Sequence, residues 1–225
     1  MYRPERRDTM AVIMESPQPF ERPGVRGFLH QPAQNPPRAA MVLVHGAGGN
    51  SRAPLMVAVA SAFAEKGYVV LRCDLPFRQE RAQGPPHGSP KRDQDGIRLA
   101  AAVVREVAPG CPVVVAGHSY GGRQSTMVAA ETPDLADGLL LLSYPLHAPG
   151  KAEPRTQHFP ALRTPALFVH GTRDPFGTIE EMEAALVAIP SRHALRVVQG
   201  GGHGLPPALA PSIAEWFEAF RVGDD

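Results

Sequence analysis

The segment Gly117-His118-Ser119-Tyr120-Gly121 sets a serine between two glycines, directly after the apolar run Val113 to Ala116 and shortly before Ser125 to Ala130, which is rich in small residues. This reads as a strand, a tight turn and a helix. A serine at such a turn is held in a strained conformation with its hydroxyl projecting beyond the carboxyl end of the sheet, and glycines on both sides avoid Cβ clashes. The chemistry within reach is nucleophilic attack on an acyl carbon. It requires a base to take the serine proton and donors to receive the charge that develops on the carbonyl oxygen. A G-x-S-x-G match alone is weak evidence, so the partners must come from the rest of the chain.

Nine histidines compete to be that base. His203 lies just after the last strand, within Gly200-Gly201-Gly202-His203-Gly204, where a flexible loop can lower an imidazole towards the serine. His45 and His170 sit at strand ends and read as structural, His118 is expected to point away from the serine, and His87 lies in an irregular loop. The acid that orients the base is expected at Asp174, where Ala166 to His170 runs into Gly171-Thr172-Arg173-Asp174-Pro175. The order Ser119, Asp174, His203 follows that of hydrolases built on a strand-to-helix nucleophile turn. Asp74, at the end of an earlier strand, is the rival acid, and Asp174 as a plain turn residue before Pro175 is the bland alternative. Upstream, the glycine-rich stretch His45-Gly46-Ala47-Gly48-Gly49 exposes backbone N–H groups. The natural oxyanion pair is the amides of Ala47 and Tyr120, against the alternative of a loop that binds an anion or merely turns tightly.

Arg78, Arg81, Arg123, Arg155 and Arg173 fall on segments able to reach the same edge. They raise the expectation of a substrate with a carboxylate or phosphate, contacted by Arg123, Arg173 and Arg78, against the alternative that they are simply solvated. Two loops, Pro76 to Gln94 and Pro145 to Pro165, are expected at that edge. The second, broken by Pro149, Pro154 and Pro160, should roof part of the pocket without forming a cap domain.

The elements that must position these residues alternate short apolar runs with segments of helical period, the pattern of a mostly parallel sheet with helices on both faces. Ala40 to Val44, Tyr68 to Leu71, Val113 to Ala116, Leu139 to Leu142, Ala166 to Val169 and Leu195 to Val198 read as strands buried on both faces. Leu55, Val59 and Phe63 repeat at helical spacing, as do Ile97, Ala101, Val104 and Ala108, then Ile179, Met182, Leu186 and Ile189, then Leu209, Ile213, Trp216 and Phe220. Ser212 and Glu215 have capping-box spacing in the last helix. Thr9 to Met14 and Val25 to His30 are expected as antiparallel edge strands.

The 225 residues fit one domain, 1–225, and the 23 basic and 22 acidic residues leave a formal charge of +1. That balance points to a small-molecule partner and away from nucleic acid or an anionic membrane. Cys73 and Cys111 are too few for a disulfide framework or zinc site, and they read as reduced thiols of a cytoplasmic protein. No apolar run of signal-peptide or membrane-span length is apparent.

Taken together, these residues resemble the α/β-hydrolase superfamily, and in particular a small dienelactone-hydrolase-like branch. The likeness is carried by H-G-A-G-G from His45, G-H-S-Y-G-G-R through Arg123, Y-P-L-H-A-P-G-K from Tyr144 and R-D-P-F-G through Gly177. It extends to a group that includes a regulatory subunit of the non-specific-lethal acetyltransferase complex and a testis-expressed relative. The resemblance implies a serine hydrolase of small acyl substrates, with no metal or organic cofactor. Dienelactone hydrolases use cysteine as nucleophile, so Ser119 does not imply lactone specificity. Two other activities stay open: a non-catalytic scaffold of the same fold binding a protein, and an acyltransferase or perhydrolase using the same residues.

Overall fold

The computed structural model describes residues 16–223 except Pro149 and Ala152. Its strands are β1 (Gln18–Arg22), β2 (Val25–His30), β3 (Ala39–Val44), β4 (Tyr68–Cys73), β5 (Val113–His118), β6 (Gly138–Leu142), β7 (Ala166–Gly171) and β8 (His193–Val198). They form one sheet in the order β1-β2-β4-β3-β5-β6-β7-β8. Every pairing from β4 to β8 is parallel, while β1 with β2 and β2 with β4 are antiparallel. Strands β3 and β5 are neighbours although β4 lies between them in sequence, so the connections reverse direction between them. In open α/β sheets that reversal leaves a crevice at the carboxyl ends of the two strands, which is where ligands bind.

Six helices cover the sheet: α1 (Pro54–Glu65), α2 (Pro76–Glu80), α3 (Pro90–Val107), α4 (Tyr120–Glu131), α5 (Ile179–Leu186) and α6 (Ala210–Val222). The apolar residues divide between two layers by the period of two of a strand. Met41, Leu43, Val114 and Ala116 pack with Met56, Val59, Phe63, Ile213 and Phe217 of α1 and α6. Val42, Val44 and Val115 face Ile97, Val104, Val128 and Met182 of α3, α4 and α5. Burial of each such side chain contributes about 1.5–3 kcal/mol, which is why the central strands are apolar on both faces. Among the described residues, no helix is long and apolar enough to cross a membrane.

Four expectations are corrected. First, β8 is not buried on both faces: it pairs only with β7 at the margin and is mostly half-buried. Second, Val25 to His30 is antiparallel as expected but is not the edge: β2 lies between β4 and a hairpin partner β1, turned through Gly24 at φ 76°, and the expected strand Thr9 to Met14 lies outside the described residues. Third, the stretch Pro76 to Gln94 is not all loop, because Pro76 and Pro90 occupy the first turns of α2 and α3, where their missing N–H costs nothing. Fourth, Ser212 does not cap α6, which already begins at Ala210 and has no side-chain cap. A capping box forms instead at α5, between Thr178 and Glu181.

Candidate active site

Ser119 is the only residue between β5 and α4, and its backbone sits at φ 51°, ψ −116°. Such a conformation persists only where the surroundings over-determine it. Its N–H donates to the Leu142 carbonyl at 2.8 Å, and Gly121 of the helix that follows lies against Val44 and His45 at the end of β3. A Cβ on Gly121 would come within 2.5 Å of the His45 carbonyl, and one on Gly117 within 2.5 Å of the Gly122 nitrogen. The glycines are therefore what allow the turn to close. A serine in the N-cap position ordinarily spends its hydroxyl on a helix amide. Ser119 makes no such bond, and its Oγ lies 2.7 Å from His203 Nε2.

The other face of the imidazole meets Asp174. His203 Nδ1 is 2.8 Å from Oδ2 and 3.1 Å from Oδ1, and the Phe176 amide donates to Oδ1 at 2.9 Å. Burial by itself would raise the Asp174 pKa, but the bonds from His203 and Phe176 outweigh it and hold the carboxyl below its ordinary value. The loops bearing acid and base are stitched together by Arg173 N–H to Gly201 O at 2.8 Å and by Gly200 N–H to Thr172 Oγ1 at 2.9 Å. The Phe176 ring then packs edge-on against the imidazole, with centroids 4.4 Å apart. The rival acid, Asp74, is engaged elsewhere, accepting from the Ser51 amide at 2.7 Å.

The loop from Gly46 to Gly49 closes as a turn, with Gly49 N–H donating to Gly46 O at 3.1 Å. His45 Nδ1–H donates to the same carbonyl at 2.8 Å, while its Nε2 accepts from the Leu75 amide at 3.1 Å. Burial lowers the His45 pKa, so the ring stays neutral and fixes this tautomer. The Gly46–Ala47 peptide is trans, so anchoring the Gly46 carbonyl aims the Ala47 N–H the opposite way. Tyr120 is the first residue of α4, and its N–H is among those with no intrahelical acceptor. Its phenol donates to Asp93 Oδ2 at 2.7 Å, and Asp93 Oδ1 accepts from the Phe77 amide at 3.0 Å.

His118 does not point away from the serine. It lines the same cavity, its ring packs at 5.4 Å from that of His203, and its Nε2–H donates to the His203 carbonyl at 2.9 Å. Burial lowers its pKa, opposed by that bond, and the ring acts as a neutral strut for the histidine loop. The alternation of side chains along β5 did not reveal this, because the strand's last residue already bends into the turn.

Ser119, His203 and Ala47 share a cavity of about 650 Å³. Its walls include Leu55, Met56, Phe176, Leu205 and Pro207, and among the described residues no Asp, Glu, Lys or Arg side chain lines it. None of the five arginines expected at this edge reaches it. Arg173 and Arg81 are exposed, and Arg123 and Arg155 are half-buried away from it. Arg155 bonds the carbonyls of Pro145 and His147. Arg78 is buried, with its guanidinium on four backbone carbonyls. The expected roof is also absent: no described residue between Pro145 and Pro165 lines the cavity, and the segment folds onto Tyr144 through Arg155 and Phe159 instead. Leu55, Met56, Phe176 and Leu205 were not anticipated as cavity residues, because each reads as core from its helical or turn context.

A mostly parallel sheet covered on both faces, with a serine elbow at its point of reversal and no large cap among the described residues, defines the α/β-hydrolase architecture. The chain belongs to the alpha/beta hydrolase domain family, whose model matches residues 37–213. It is 27% identical over 189 residues to a protein of Pongo abelii named putative protein-lysine deacylase ABHD14B, covering 83% of each chain. Among solved structures it is similar to TT1662 from Thermus thermophilus, with a TM-score of 0.70 and 26% identity over 91% of this chain and 97% of that one. It also shares the fold of a dienelactone hydrolase from Anabaena variabilis, with a TM-score of 0.73 and 22% identity over 91% and 98% of the two chains. Est1E from Butyrivibrio proteoclasticus likewise matches at 0.73, with 18% identity over 92% and 100%.

Proposed function

We propose that the chain is a serine hydrolase that cleaves carboxylic esters of uncharged, apolar acyl groups through an acyl-serine intermediate. The observation that carries the reading is the unbroken contact from Ser119 Oγ to His203 Nε2 and from His203 Nδ1 to Asp174. Ser119 Oγ attacks the acyl carbon as its proton passes to His203 Nε2, and the amides of Ala47 and Tyr120 receive the oxyanion. The imidazolium, stabilised by Asp174, protonates the departing alcohol. Water then enters, gives a proton to His203 and attacks the acyl carbon; as the bond from that carbon to Ser119 Oγ breaks, His203 returns the proton to Oγ, so that the free acid leaves and Ser119 is restored. No step calls for a metal or organic cofactor.

The substrate class follows from the cavity wall. Leu55, Met56 and Leu205 are 8%, 2% and 3% exposed, and among the described residues no Lys or Arg lines the cavity to pair with an anionic substrate. Each methylene placed against such a wall is worth about 0.8 kcal/mol, or roughly fourfold in kcat/KM. The motifs around His45, Ser119 and Tyr144 favour the small dienelactone-hydrolase-like branch. The name of the Pongo abelii relative supports a second substrate, the amide of an acylated lysine, opened by the same steps.

The test is a panel of p-nitrophenyl esters from acetate to octanoate, with the hemisuccinate as anionic member, run beside a fluorophosphonate probe. We expect kcat/KM to rise with chain length, the hemisuccinate to be poor, and probe and turnover both to vanish in Ser119→Ala. A folded wild-type protein that neither labels nor turns over would be a scaffold, and the enzyme reading would be abandoned.

A further inference from the structure

Arg78 is 5% exposed and, among the described residues, has no carboxylate within ion-pair distance. A buried guanidinium is costly unless its donors are satisfied. Here they are satisfied by the backbone. Nε donates to Gly49 O at 2.8 Å, Nη2 to Ala47 O at 2.9 Å and Gly84 O at 2.8 Å, and Nη1 to Arg81 O at 3.2 Å. Two of these four acceptors, Ala47 and Gly49, are the second and fourth residues of the turn whose first carbonyl, that of Gly46, sets the direction of the Ala47 amide.

We infer that Arg78 is the positioning residue of the oxyanion loop, holding Ala47 and Gly49 by their carbonyls from behind so that the loop's N–H groups face Ser119. The inference rests on the serine-hydrolase reading. Each grip acts through a rigid unit. A carbonyl and the N–H across its peptide bond are antiparallel, so fixing the Ala47 carbonyl also fixes the Gly48 amide, and fixing the Gly49 carbonyl fixes the Asn50 amide, which pins both peptides that follow the Gly46–Ala47 unit within the turn and at its exit. A loop with glycines at 46, 48 and 49 has little stiffness of its own. The same short segment also serves the second donor. The Leu75 amide holds His45, and the Phe77 amide holds Asp93, which holds the Tyr120 phenol. The Phe77 ring packs edge-on against both His45, at 5.6 Å, and Tyr120, at 5.8 Å. Residues 75–78 thus buttress both amides from one side. Arginine suits this post and lysine does not, because a planar fork reaches several fixed acceptors while an ammonium presents one point.

The experiment compares wild type with Arg78→Lys, Arg78→Met and Arg78→Ala on a p-nitrophenyl ester, with thermal melts of each. The expected result is a fall in kcat of about a hundredfold in Arg78→Lys, the lower end of what losing an oxyanion donor costs, with KM little changed. Affinity for an alkyl boronic acid, which mimics the tetrahedral intermediate, should fall in parallel with kcat/KM. Millimolar methylguanidinium should restore part of the kcat of Arg78→Ala, and the loss of kcat and boronate affinity at little-changed KM and melting temperature in Arg78→Lys is what a merely structural role would not produce. If Arg78→Met fails to fold, the lysine variant carries the test because it keeps the charge and the stem. A folded Arg78→Lys with wild-type kcat and boronate affinity overturns the inference while the enzyme reading stands. Absence of turnover in wild type overturns both.

Discussion

Replacing Asp174 with asparagine exchanges one carboxylate oxygen for an NH2 group, and the structure dictates how the amide must lie. Oδ1 accepts from the Phe176 N–H at 2.9 Å, and only the amide oxygen of an asparagine can replace it there. The amide nitrogen then takes the place of Oδ2, 2.8 Å from His203 Nδ1, as a donor. His203 Nδ1 must accept from it, so the ring proton moves to Nε2 and points at Ser119 Oγ. The base then faces the nucleophile with a hydrogen where a lone pair is needed. This wrong tautomer should cost about ten-thousandfold in kcat, or about 5.4 kcal/mol of transition-state stabilisation. The fold should survive, because the replacement has nearly the same shape and keeps the Phe176 bond. Initial rates on a p-nitrophenyl ester at neutral pH would read the loss, and nitrogen-15 shifts of the His203 ring would read the tautomer. If Asp174→Asn keeps kcat within tenfold of wild type, the orienting role assigned to Asp174 is wrong.

At Gly171, a Cβ would stand 2.2 Å from the Gly201 carbonyl oxygen, a backbone atom that cannot step aside without moving the histidine loop. Gly171→Ala should lose about 1–3 kcal/mol of stability by overpacking. Turnover should fall more than tenfold, since even about 1 Å of misplacement is costly. A melt and an ester assay check both, and wild-type values in each would show that the two loops are not coupled there. Burial, and then the neighbouring Arg72, lowers the His30 pKa to about 4, and its Nε2 accepts from Arg72 Nε at 2.7 Å. Between that value and 6.5 the unfolded chain binds a proton that the folded chain refuses, so stability should fall as pH drops through this window. In His30→Gln that loss should be smaller, as read from urea midpoints at pH 7 and pH 4.5, and an unchanged pH slope would remove His30 as its source.

Much of this was legible because the strongest signals coincide. The six apolar runs became β3 to β8, and for β3 to β7 the reason is that a run apolar on both faces can only be buried by helices on both sides. The residues at their carboxyl ends, Ala47, Ser119, Asp174 and His203, are brought to one edge by the parallel sense of the strands. The glycines around Ser119 mark close approach, and the distances behind them leave no room for a Cβ. What failed lies in weaker signals. Gln18 to Arg22 follows Pro17 and contains Pro19, which argues against a strand, yet a sheet margin tolerates it. The spacing of Ser212 and Glu215 lost to Pro211, which is accommodated in the first turn of α6 and moves the helix start upstream of Ser212.

The arginines show where reading by residue type stops. A guanidinium on a loop has three possible acceptors: solvent, a substrate anion, or backbone carbonyls left unpaired by irregular chain. Sequence gives the donor and says nothing of the acceptor, because the carbonyls that need satisfying exist only once the loop has folded. A glycine-rich turn and an irregular stretch from Arg81 to Gly84 leave several such carbonyls close to the buried stem of Arg78, and meeting them takes up Nε and both terminal nitrogens of its fork. That leaves the cavity beside Ser119 without a cation. On the proposed serine-hydrolase reading its selectivity comes from apolar contact and shape, and such a pocket grades substrates by chain length through modest, additive steps while disfavouring a charged one.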